Sequence, residues 1–310
     1  MTYEELLFDL ISNDERFVVL TAENRAAIRN LPEKIKDRFI DVGIAEQTMI
    51  GMAAGLAKQG RIPICHALST FLTMRAFEFI RTDVGIPGYP VKLIGAIPGF
   101  LSEANGPTHQ AVEDISLMRG IPNLNVFCPS DNVDMLDGLK KVLYDKNPWY
   151  VRFNNQEAPV KHNNKFEIGK AEIILEGNDI TIITFGTLLN QAIKAADLLS
   201  LKGISTRVIN LRTLKPIDEE LILSASRSSE LVITLEDHFL TGGLYSILSE
   251  ILLKNKTIAN VFPFALQDKW FKPSLLKNVL SYEKFDGESL AEKIFNKSEE
   301  IKHQHTGVFF

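Results

Sequence analysis

The amino-acid sequence predicts an α/β protein of two domains, each built on a mainly parallel sheet that is flanked by helices. Short runs rich in β-branched and aromatic residues alternate with segments of helical periodicity along the 310 residues. Strands that are separated by helices need crossover connections, which favour parallel pairing. A polar stretch without periodicity, around Pro159, interrupts the alternation near the middle of the chain. Such a stretch is typical of a linker between domains.

The first predicted domain covers residues 1–155. It opens with an amphipathic helix, because Thr2 and Glu5 form a capping box and apolar residues follow at helical spacing. Six strands are predicted after this helix, at 17–20, 39–42, 62–67, 91–95, 125–128 and 149–153.

A predicted linker, 156–168, leads into a second α/β domain, 169–310. Helices are predicted near 189–201 and 218–226, between strands at 180–185, 206–210 and 231–235. Gly242 and Gly243 follow the last of these strands, where a tight turn can use the conformational freedom of glycine. A phosphate-binding turn at a helix N-terminus is the alternative interpretation.

The composition restricts the class of protein. With 45% hydrophobic and 24% charged residues, the chain can bury two ordinary cores. Its net charge of -5 comes without a Lys/Arg block, so we expect no nucleic-acid partner. Cys65 and Cys128 lie in apolar runs without CxxC or Cys/His neighbours and predict buried thiols in a reducing compartment. No apolar stretch approaches ~18 residues, and we expect a cytoplasmic protein without a membrane span.

The most informative window is 41–60, which reads DVGIAEQTMIGMAAGLAKQG. Glu46 follows a predicted strand directly and starts a helix whose next turns consist almost entirely of small or apolar residues. A carboxyl group held in apolar surroundings can share a proton with a ring nitrogen, as a general acid/base must. The alternative is an exposed glutamate that the helix macrodipole favours at this position.

A second window is 105–113, which reads NGPTHQAVE. Pro107 and Thr108 predict the entry to a helix that begins near His109. A histidine at such a helix start can face a cleft and donate a hydrogen bond to a sugar oxygen. The alternative is that His109 only caps the helix and packs against it.

Five strings in this order, GIAEQ, MRAFEFIRTDV, NGPTHQ, EDISLMRGIPN and VFCPSD, together resemble the pyrimidine-binding domain of transketolases. The resemblance is greatest to split transketolases, whose C-terminal half is a separate polypeptide, and the second half of the chain is similar to the transketolase C-terminal domain. It implies one half of a two-chain enzyme that transfers a two-carbon ketol unit from a ketose donor to an aldehyde acceptor.

The resemblance also implies a pocket for thiamine diphosphate. Glu46 matches the family's glutamate, which bonds to the aminopyrimidine ring of this cofactor. Phe71 matches the centre of an aromatic pocket that stacks on the ring, with Leu68 and Met74 beside it. Leu68 stands where the nearest relatives have phenylalanine, so the pocket is less aromatic here. For Phe71 the alternative is an ordinary core aromatic.

Two further residues match substrate ligands of the family. His109 corresponds to a histidine that contacts the sugar near the reacting centre. Arg152 corresponds to an arginine that grips the terminal phosphate of sugar phosphates, for which its planar fork is suited. For Arg152 the alternative is a surface residue near the linker.

Several positions depart from the family pattern. Asn105 replaces the aspartate that reads the hydroxyl stereochemistry of the acceptor, and a second substrate histidine falls near Ile97. Ala27 replaces a serine that assists the phosphate-binding arginine, and the usual arginine near the domain start has no counterpart in residues 1–5. We therefore expect a specialised acceptor, such as a modified or activated sugar, rather than ordinary pentose phosphates.

The chain has no GDG motif followed by an asparagine some ~25 residues later, the pattern that binds Mg²⁺ and the diphosphate in this family. We therefore predict no metal ligands here. The resemblance implies that an N-terminal transketolase subunit with that motif holds both groups, in an α2β2 assembly in which this chain also self-associates. The helix after Glu46 is too uniformly small and apolar to face water, which fits an interface.

Two other classes of function stay open. The chain could be the beta-type subunit of another thiamine-diphosphate enzyme, related to 2-oxo-acid dehydrogenases or deoxyxylulose-phosphate synthase, and would then decarboxylate a 2-oxo acid. It could also be a non-catalytic assembly subunit, because a fold alone does not establish activity. An assembly role would need none of Glu46, Phe71 and His109, and their presence argues against it.

Overall fold

The computed structural model describes residues 1–162 and 165–305. Residues 163 and 164 of the predicted linker and residues 306–310 of the second predicted domain lie outside the described residues. Within the described ranges, no helix combines the length and apolar character needed to cross a membrane.

The first half of the chain contains six α-helices and six strands among its described residues. Thr2 caps the first helix, since its Oγ1 accepts from the Glu5 backbone N–H and Glu5 Oε2 accepts from the Thr2 backbone N–H at 2.8 Å, which confirms the capping box. The elements are α1 Tyr3–Asn13, β1 Phe17–Thr21, α2 Leu31–Ile35, β2 Phe39–Asp41, α3 Glu46–Lys58, β3 Ile62–Leu68, α4 Phe77–Phe79, β4 Lys92–Ala96, α5 Asp114–Arg119, β5 Asn125–Phe127, α6 Asn132–Val142 and β6 Trp149–Arg152.

The second half continues the alternation of strands and helices. Its elements are β7 Glu172–Leu175, β8 Ile180–Thr184, α7 Leu189–Ser200, β9 Thr206–Asn210, β10 Thr213–Lys215, α8 Glu219–Ser228, β11 Leu231–Phe239, α9 Leu244–Lys254, β12 Val261–Leu266, α10 Leu276–Glu283 and α11 Gly287–His305.

Two sheets organise these elements. The first has the order β10-β5-β6-β4-β3-β1-β2 and the second the order β12-β11-β8-β9-β7. All neighbouring strands pair in parallel except β10 with β5 and β7 with β9, which are antiparallel. The prediction of two mainly parallel sheets is confirmed. The sequence did not predict β7, β10 or β12, of which β10 reaches across from the second half to extend the first sheet.

Helices cover both faces of the first sheet. Val18 and Leu20 of β1 point to a cluster that contains the buried face of α3, whereas Phe17 and Val19 point to a cluster that contains the apolar side of α1. A sheet buried on both faces needs nearly continuous apolar strands, which is why β1 reads FVVLT. The same packing places α3, and with it Glu46, at the carboxyl end of β2.

The two predicted structural thiols are both buried. Cys65 and Cys128 are free cysteines with no exposed surface. Burial raises the pKa of each thiol well above its usual range, so neither sulfur is a reactive thiolate.

A buried ionic cluster around His162 holds the segment that connects the two sheets in place. The side chain of His162 is only 7% exposed, and its ring nitrogens each lie 2.7 Å from a carboxylate oxygen, of Asp131 and of Glu172. Arg212 pairs with the same Glu172 at 2.6 Å and with Asp134 at 2.9 Å. His162 therefore joins the N-terminus of α6 in the first half to β7 in the second.

The His162 cluster makes stability depend on pH. Burial opposes the charge of the ring, but hydrogen bonds to Asp131 and Glu172 raise the pKa of His162 to about 10. This value lies above that of an unfolded histidine, roughly 6.5. The stabilisation is therefore fully present below about pH 6.5 and is lost as the pH rises through about 10.

We expect His162→Gln to lower the free energy of unfolding by about 3 kcal/mol at pH 6, because two buried carboxylates each lose one of their charged or hydrogen-bonding partners. The difference from wild type should shrink steadily towards pH 10. Urea unfolding of both proteins at pH 6, 8 and 10 measures this. A difference of the same size at all three values would contradict the assignment.

Candidate active site

Glu46 is the first residue of α3 and is buried, with 1% of its surface exposed. The chain reaches it from β2 through a turn in which Gly43 has a φ of +70° and donates its N–H to the Asp41 carboxylate at 2.9 Å. This tight turn directs α3 back over the sheet and carries the Glu46 side chain inward. The burial excludes the alternative of an exposed helix-start glutamate.

A cavity of about 290 Å³ opens beside this carboxylate. Glu46, Leu68 and Phe71 line it together, so the fold brings three of the predicted cofactor residues to one place. The remaining lining residues come from the ends of β1 and β2, and they are Ala22, Glu23, Asn24, Arg25, Ala26 and Ile44.

A π-helical turn, Phe71–Arg75, presents the aromatic side of the cavity. The Ala76 N–H donates to the Phe71 carbonyl at 3.3 Å, which closes the wider turn. Such turns occur often at functional sites because they rotate side chains out of the ordinary helical register. Met74 lies half-buried on the same turn but does not line the cavity, unlike Phe71.

Arg75 links the carboxylate and the aromatic ring, and the sequence reasoning missed it. Its Nη1 donates to Glu46 Oε2 at 2.8 Å, and its Cζ lies 4.2 Å from the centroid of the Phe71 ring. The sequence predicted apolar surroundings for Glu46, but the structure also places a cation, the Arg75 guanidinium, against its carboxylate. The signal was present in the MRAFE string, whose arginine follows Phe71 by four residues.

His109 packs edge-on against Phe71, with its ring centroid 5.1 Å from that of Phe71. The Thr70 hydroxyl donates to its carbonyl at 2.7 Å, and its Nδ1 is 2.9 Å from Thr108 Oγ1. Nε2 is thus the ring nitrogen that the described residues leave without a hydrogen bond. His109 thus contacts Phe71 but is not among the residues that line the cavity.

The prediction of a helix that begins near His109 is wrong. Pro107–His109 is a single 3-10 turn, after which Gln110 has extended backbone and α5 starts only at Asp114. The reason is a long-range bond, because the Ala111 carbonyl accepts from the Gly99 N–H at 2.9 Å and holds the segment extended.

Two positions that depart from the family pattern follow β4 along the chain, Ile97 directly and Asn105 in a later loop. Asn105 is exposed in the loop four residues before His109. Ile97 follows β4 directly with a φ of +49°, which is rare for a β-branched residue. Its neighbour Ala96 pairs with Leu68 of the cavity. Strained backbone of this kind is concentrated at binding and catalytic sites.

Arg152 lies elsewhere, in a buried ionic cluster between the two halves of the chain. Its Nε is 2.9 Å from Asp114 Oδ2 and its Nη1 is 2.6 Å from Asp237 Oδ1, with the residue only 3% exposed. Tyr150 adds a hydrogen bond to Asp114 at 2.6 Å. Burial opposes the charge, but the two carboxylates hold the pKa of the Arg152 guanidinium well above its usual range.

This position is at odds with both interpretations made from the sequence. The guanidinium already binds two carboxylates and is closed to solvent, so a sugar phosphate cannot reach it in this arrangement. The burial of Arg152 also excludes the alternative interpretation, in which Arg152 is a surface residue near the linker. The sequence did not reveal Asp237 as its partner, because that residue is 85 positions away along the chain.

Gly242 and Gly243 form a structural turn. Leu244 and Tyr245 at the start of α9 donate their N–H groups to the Glu236 carboxylate, at 2.6 and 2.9 Å. A Cβ on Gly243 would lie 1.9 Å from that carboxylate. A carboxylate of the chain itself thus occupies the place that a bound phosphate would need.

Comparison with known proteins gives matches along nearly the whole chain. Residues 1–161 match the family model described as the transketolase pyrimidine binding domain, and residues 169–287 match the transketolase C-terminal domain. A solved structure described as a split gene transketolase, inactive beta4 tetramer, superposes with a TM-score of 0.85 at 31% identity and covers 95% of this chain and 96% of that one. A transketolase from Pichia stipitis, with a TM-score of 0.80 at 18% identity, shares the fold.

Three curated relatives illustrate the range of similar proteins. The chain is 35% identical over 308 residues to a putative transketolase C-terminal section of Methanocaldococcus jannaschii, which covers 97% of this chain and 96% of that protein. It is 37% identical over 258 residues to a 6-deoxy-6-sulfo-D-fructose transketolase subunit of Clostridium sp. (strain MSTE9). That match covers 82% of this chain and 80% of that protein. A 1-deoxy-D-xylulose-5-phosphate synthase of Caldanaerobacter subterraneus is 33% identical over 97% of this chain but only 49% of that enzyme.

Proposed function

Since the chain belongs to the transketolase family, as the C-terminal section of a split transketolase, we propose that it forms an active enzyme only with an N-terminal partner subunit. Enzymes of this family use thiamine diphosphate, which supplies the carbanion chemistry of two-carbon ketol transfer. The observation that carries the proposal is the cavity that joins a buried carboxylate, Glu46, to an aromatic ring, Phe71.

The residues around this cavity fit the pyrimidine half of the cofactor. The Glu46 carboxylate can bond to a ring nitrogen, and the Phe71 face can stack on the ring, with Leu68 closing the apolar wall. In this assignment Glu46 moves the proton at the ring nitrogen, and Met74 supports the π-helical turn from behind the cavity. These roles are consistent with the burial of Glu46 and with its contact to a cation.

The diphosphate half needs other ligands. Among residues 1–162 and 165–305, no group of three or more His, Cys, Asp and Glu side chains could hold a metal ion. We propose that the partner subunit binds Mg²⁺ and the diphosphate through a GDG motif and a downstream asparagine. The assembly is then an α2β2 heterotetramer in which each cofactor lies between two different chains.

The surface beside Glu46 supports such an interface. On α3 the buried residues face the core, whereas Gly51, Met52 and Gly55 are exposed. A Cβ on either glycine would meet nothing within 4 Å, so a neighbouring helix could approach closely. Ile44, two residues before Glu46, is 71% exposed, and Ile86 is 66% exposed. Exposed apolar surface of this kind is typical of subunit interfaces.

The substrate side points to a specialised acceptor. His109 contacts the sugar and Asn105 replaces an acidic residue in the acceptor region, while Arg152 is committed to an internal ion pair and gives no phosphate contact. We therefore propose transfer onto a modified or activated aldehyde sugar in preference to pentose phosphates. The name of the Clostridium relative specifies a sulfonated ketose, which is a modified sugar on the donor side of ketol transfer. Better activity with ribose 5-phosphate than with every modified aldehyde would count against this.

We expect Asn105→Asp to shift preference towards hydroxyaldehyde acceptors by about tenfold in kcat/KM, because a carboxylate accepts stronger hydrogen bonds from hydroxyl groups. The Kd for thiamine diphosphate should stay within twofold of wild type. Initial rates with a panel of aldehydes measure the shift, and Asn13→Asp, at an exposed position of α1, is the matched control. An unchanged acceptor profile would mean that Asn105 does not face the acceptor.

The test of the proposed function is calorimetric titration of thiamine diphosphate with Mg²⁺, first into this chain alone and then into its mixture with the partner. Tight binding in the mixture only is the expected result. Tight binding to the chain alone would refute the division of the site between two chains. Release of carbon dioxide from pyruvate by the mixture, without ketol transfer, would instead favour the synthase-like or dehydrogenase-like alternative. The absence of both reactions despite binding would favour an assembly role.

A further inference from the structure

Arg75 contacts both groups that bind the pyrimidine ring in our proposal. Its Nη1 lies 2.8 Å from Glu46 Oε2, and its guanidinium carbon lies 4.2 Å from the centre of the Phe71 ring. The side chain is 40% exposed, whereas that of Glu46 is 2% exposed. The arginine therefore enters from the surface and reaches inward to a buried carboxylate.

The guanidinium makes these contacts from outside the cavity. Glu46, Leu68 and Phe71 line the cavity, but Arg75 does not. It binds one carboxylate oxygen, Oε2, and a carboxylate has a second oxygen that can bond to a ligand. The contacts of Arg75 with Glu46 and Phe71 are thus compatible with a ring that occupies the cavity.

A guanidinium is suited to this double contact. Its planar fork aligns a carboxylate, and its face stacks on an aromatic ring. A lysine ammonium at the same place could provide the charge but not the planar stack. The π-helical turn Phe71–Arg75 brings the two contacts together, because it begins with Phe71 and ends with Arg75.

We infer that Arg75 is a positioning residue, which fixes the orientation of the Glu46 carboxylate and of the Phe71 ring towards the cofactor. This inference rests on the proposed function. Arg75 acts through these two neighbours and does not itself contact the reacting atoms. Its loss should therefore affect cofactor binding and turnover while leaving the recognition of the sugar unchanged.

The experiment uses the assembled two-chain enzyme with Arg75→Met, Arg75→Lys and, as a control, Arg227→Met at an exposed arginine of α8. Calorimetry gives the Kd for thiamine diphosphate with Mg²⁺, and steady-state rates give kcat and the KM for the sugar. Arg75→Met should raise the Kd and lower kcat by about tenfold each, with the KM within twofold. Arg75→Lys should fall between Arg75→Met and wild type.

Folding should not account for these effects, since a partly exposed ion pair contributes little to stability. The unfolding midpoint of Arg75→Met should match that of the control. If wild type binds the cofactor and Arg75→Met has an unchanged Kd and kcat, only the inference on Arg75 is overturned. The inference on Arg75 is also overturned if Arg75→Met raises only the KM for the sugar and leaves the Kd and kcat unchanged. If wild-type assembly does not bind thiamine diphosphate, the proposed function fails, and the inference fails with it.

Discussion

Replacing Glu46 by glutamine should lower the turnover of the assembled enzyme by about 10²- to 10⁴-fold, the range that general acid–base groups contribute. Glutamine has nearly the shape of glutamate and can still hydrogen-bond, but it cannot carry the proton. Folding should be retained, because the charged partner of Glu46 is the partly exposed Arg75 rather than a buried cation. Steady-state rates with saturating thiamine diphosphate measure the effect.

A matched control exists in another ionic contact between a glutamate and an arginine, that of Glu250 with Arg119. The Glu250 side chain is 60% exposed, and its pair lies outside the cavity. Glu250→Gln removes the same charge and should leave turnover unchanged. Wild-type turnover in Glu46→Gln would refute the proposal that Glu46 moves the proton at the ring nitrogen of the cofactor.

Replacing Arg152 by methionine should lower the free energy of unfolding by about 3–5 kcal/mol. Asp114 and Asp237 are fully or almost fully buried and would then face each other without a cation. Burial already raises the pKa of Asp237, so its carboxylate is costly to keep charged without Arg152. Denaturant unfolding measures the loss, and Lys254→Met, in an exposed pair with Glu219, should cost less than about 1 kcal/mol.

If Arg152→Met does not fold, a triple variant that also carries Asp114→Asn and Asp237→Asn keeps the prediction testable. Neutral groups of similar shape should recover much of the stability, because no unpaired charge stays buried. A stable Arg152→Met that loses activity only with phosphorylated sugars would contradict the ionic role. That result would restore the phosphate contact that the sequence predicted.

Much of the fold could be predicted because its signals are local. The strands of the first sheet are short apolar runs between helical patterns, and the capping box of Thr2 and Glu5 lies within four residues. The position of Glu46 at a helix start followed from the same pattern. In contrast, β12 carries Pro263, which weakens a strand prediction, and β10 has only three residues.

The candidate site could be predicted only in part, since its details depend on contacts that are distant in sequence. The extended segment after His109 is held by Gly99, and Arg152 is held by Asp237. Periodicity carries no information on either contact. Arg75 was missed for a different reason, since a π-helical turn has the same residue types as an α-helix. Only its geometry shows that Arg75 contacts both the Glu46 carboxylate and the Phe71 ring.

Strand β10 has a consequence for the synthesis of the chain. Thr213 and Lys215 pair with Phe127 and Val126 of β5, and Cys128 donates its N–H to the Arg212 carbonyl at 2.8 Å. During synthesis on the ribosome, the edge of β5 therefore stays uncovered until about eighty-five residues after Cys128, up to Thr213, have been added. Uncovered strand edges bind other chains. A nascent or truncated chain that ends at the linker should accordingly be a client of chaperones, and the cooperative folding unit should extend beyond the first sequence domain.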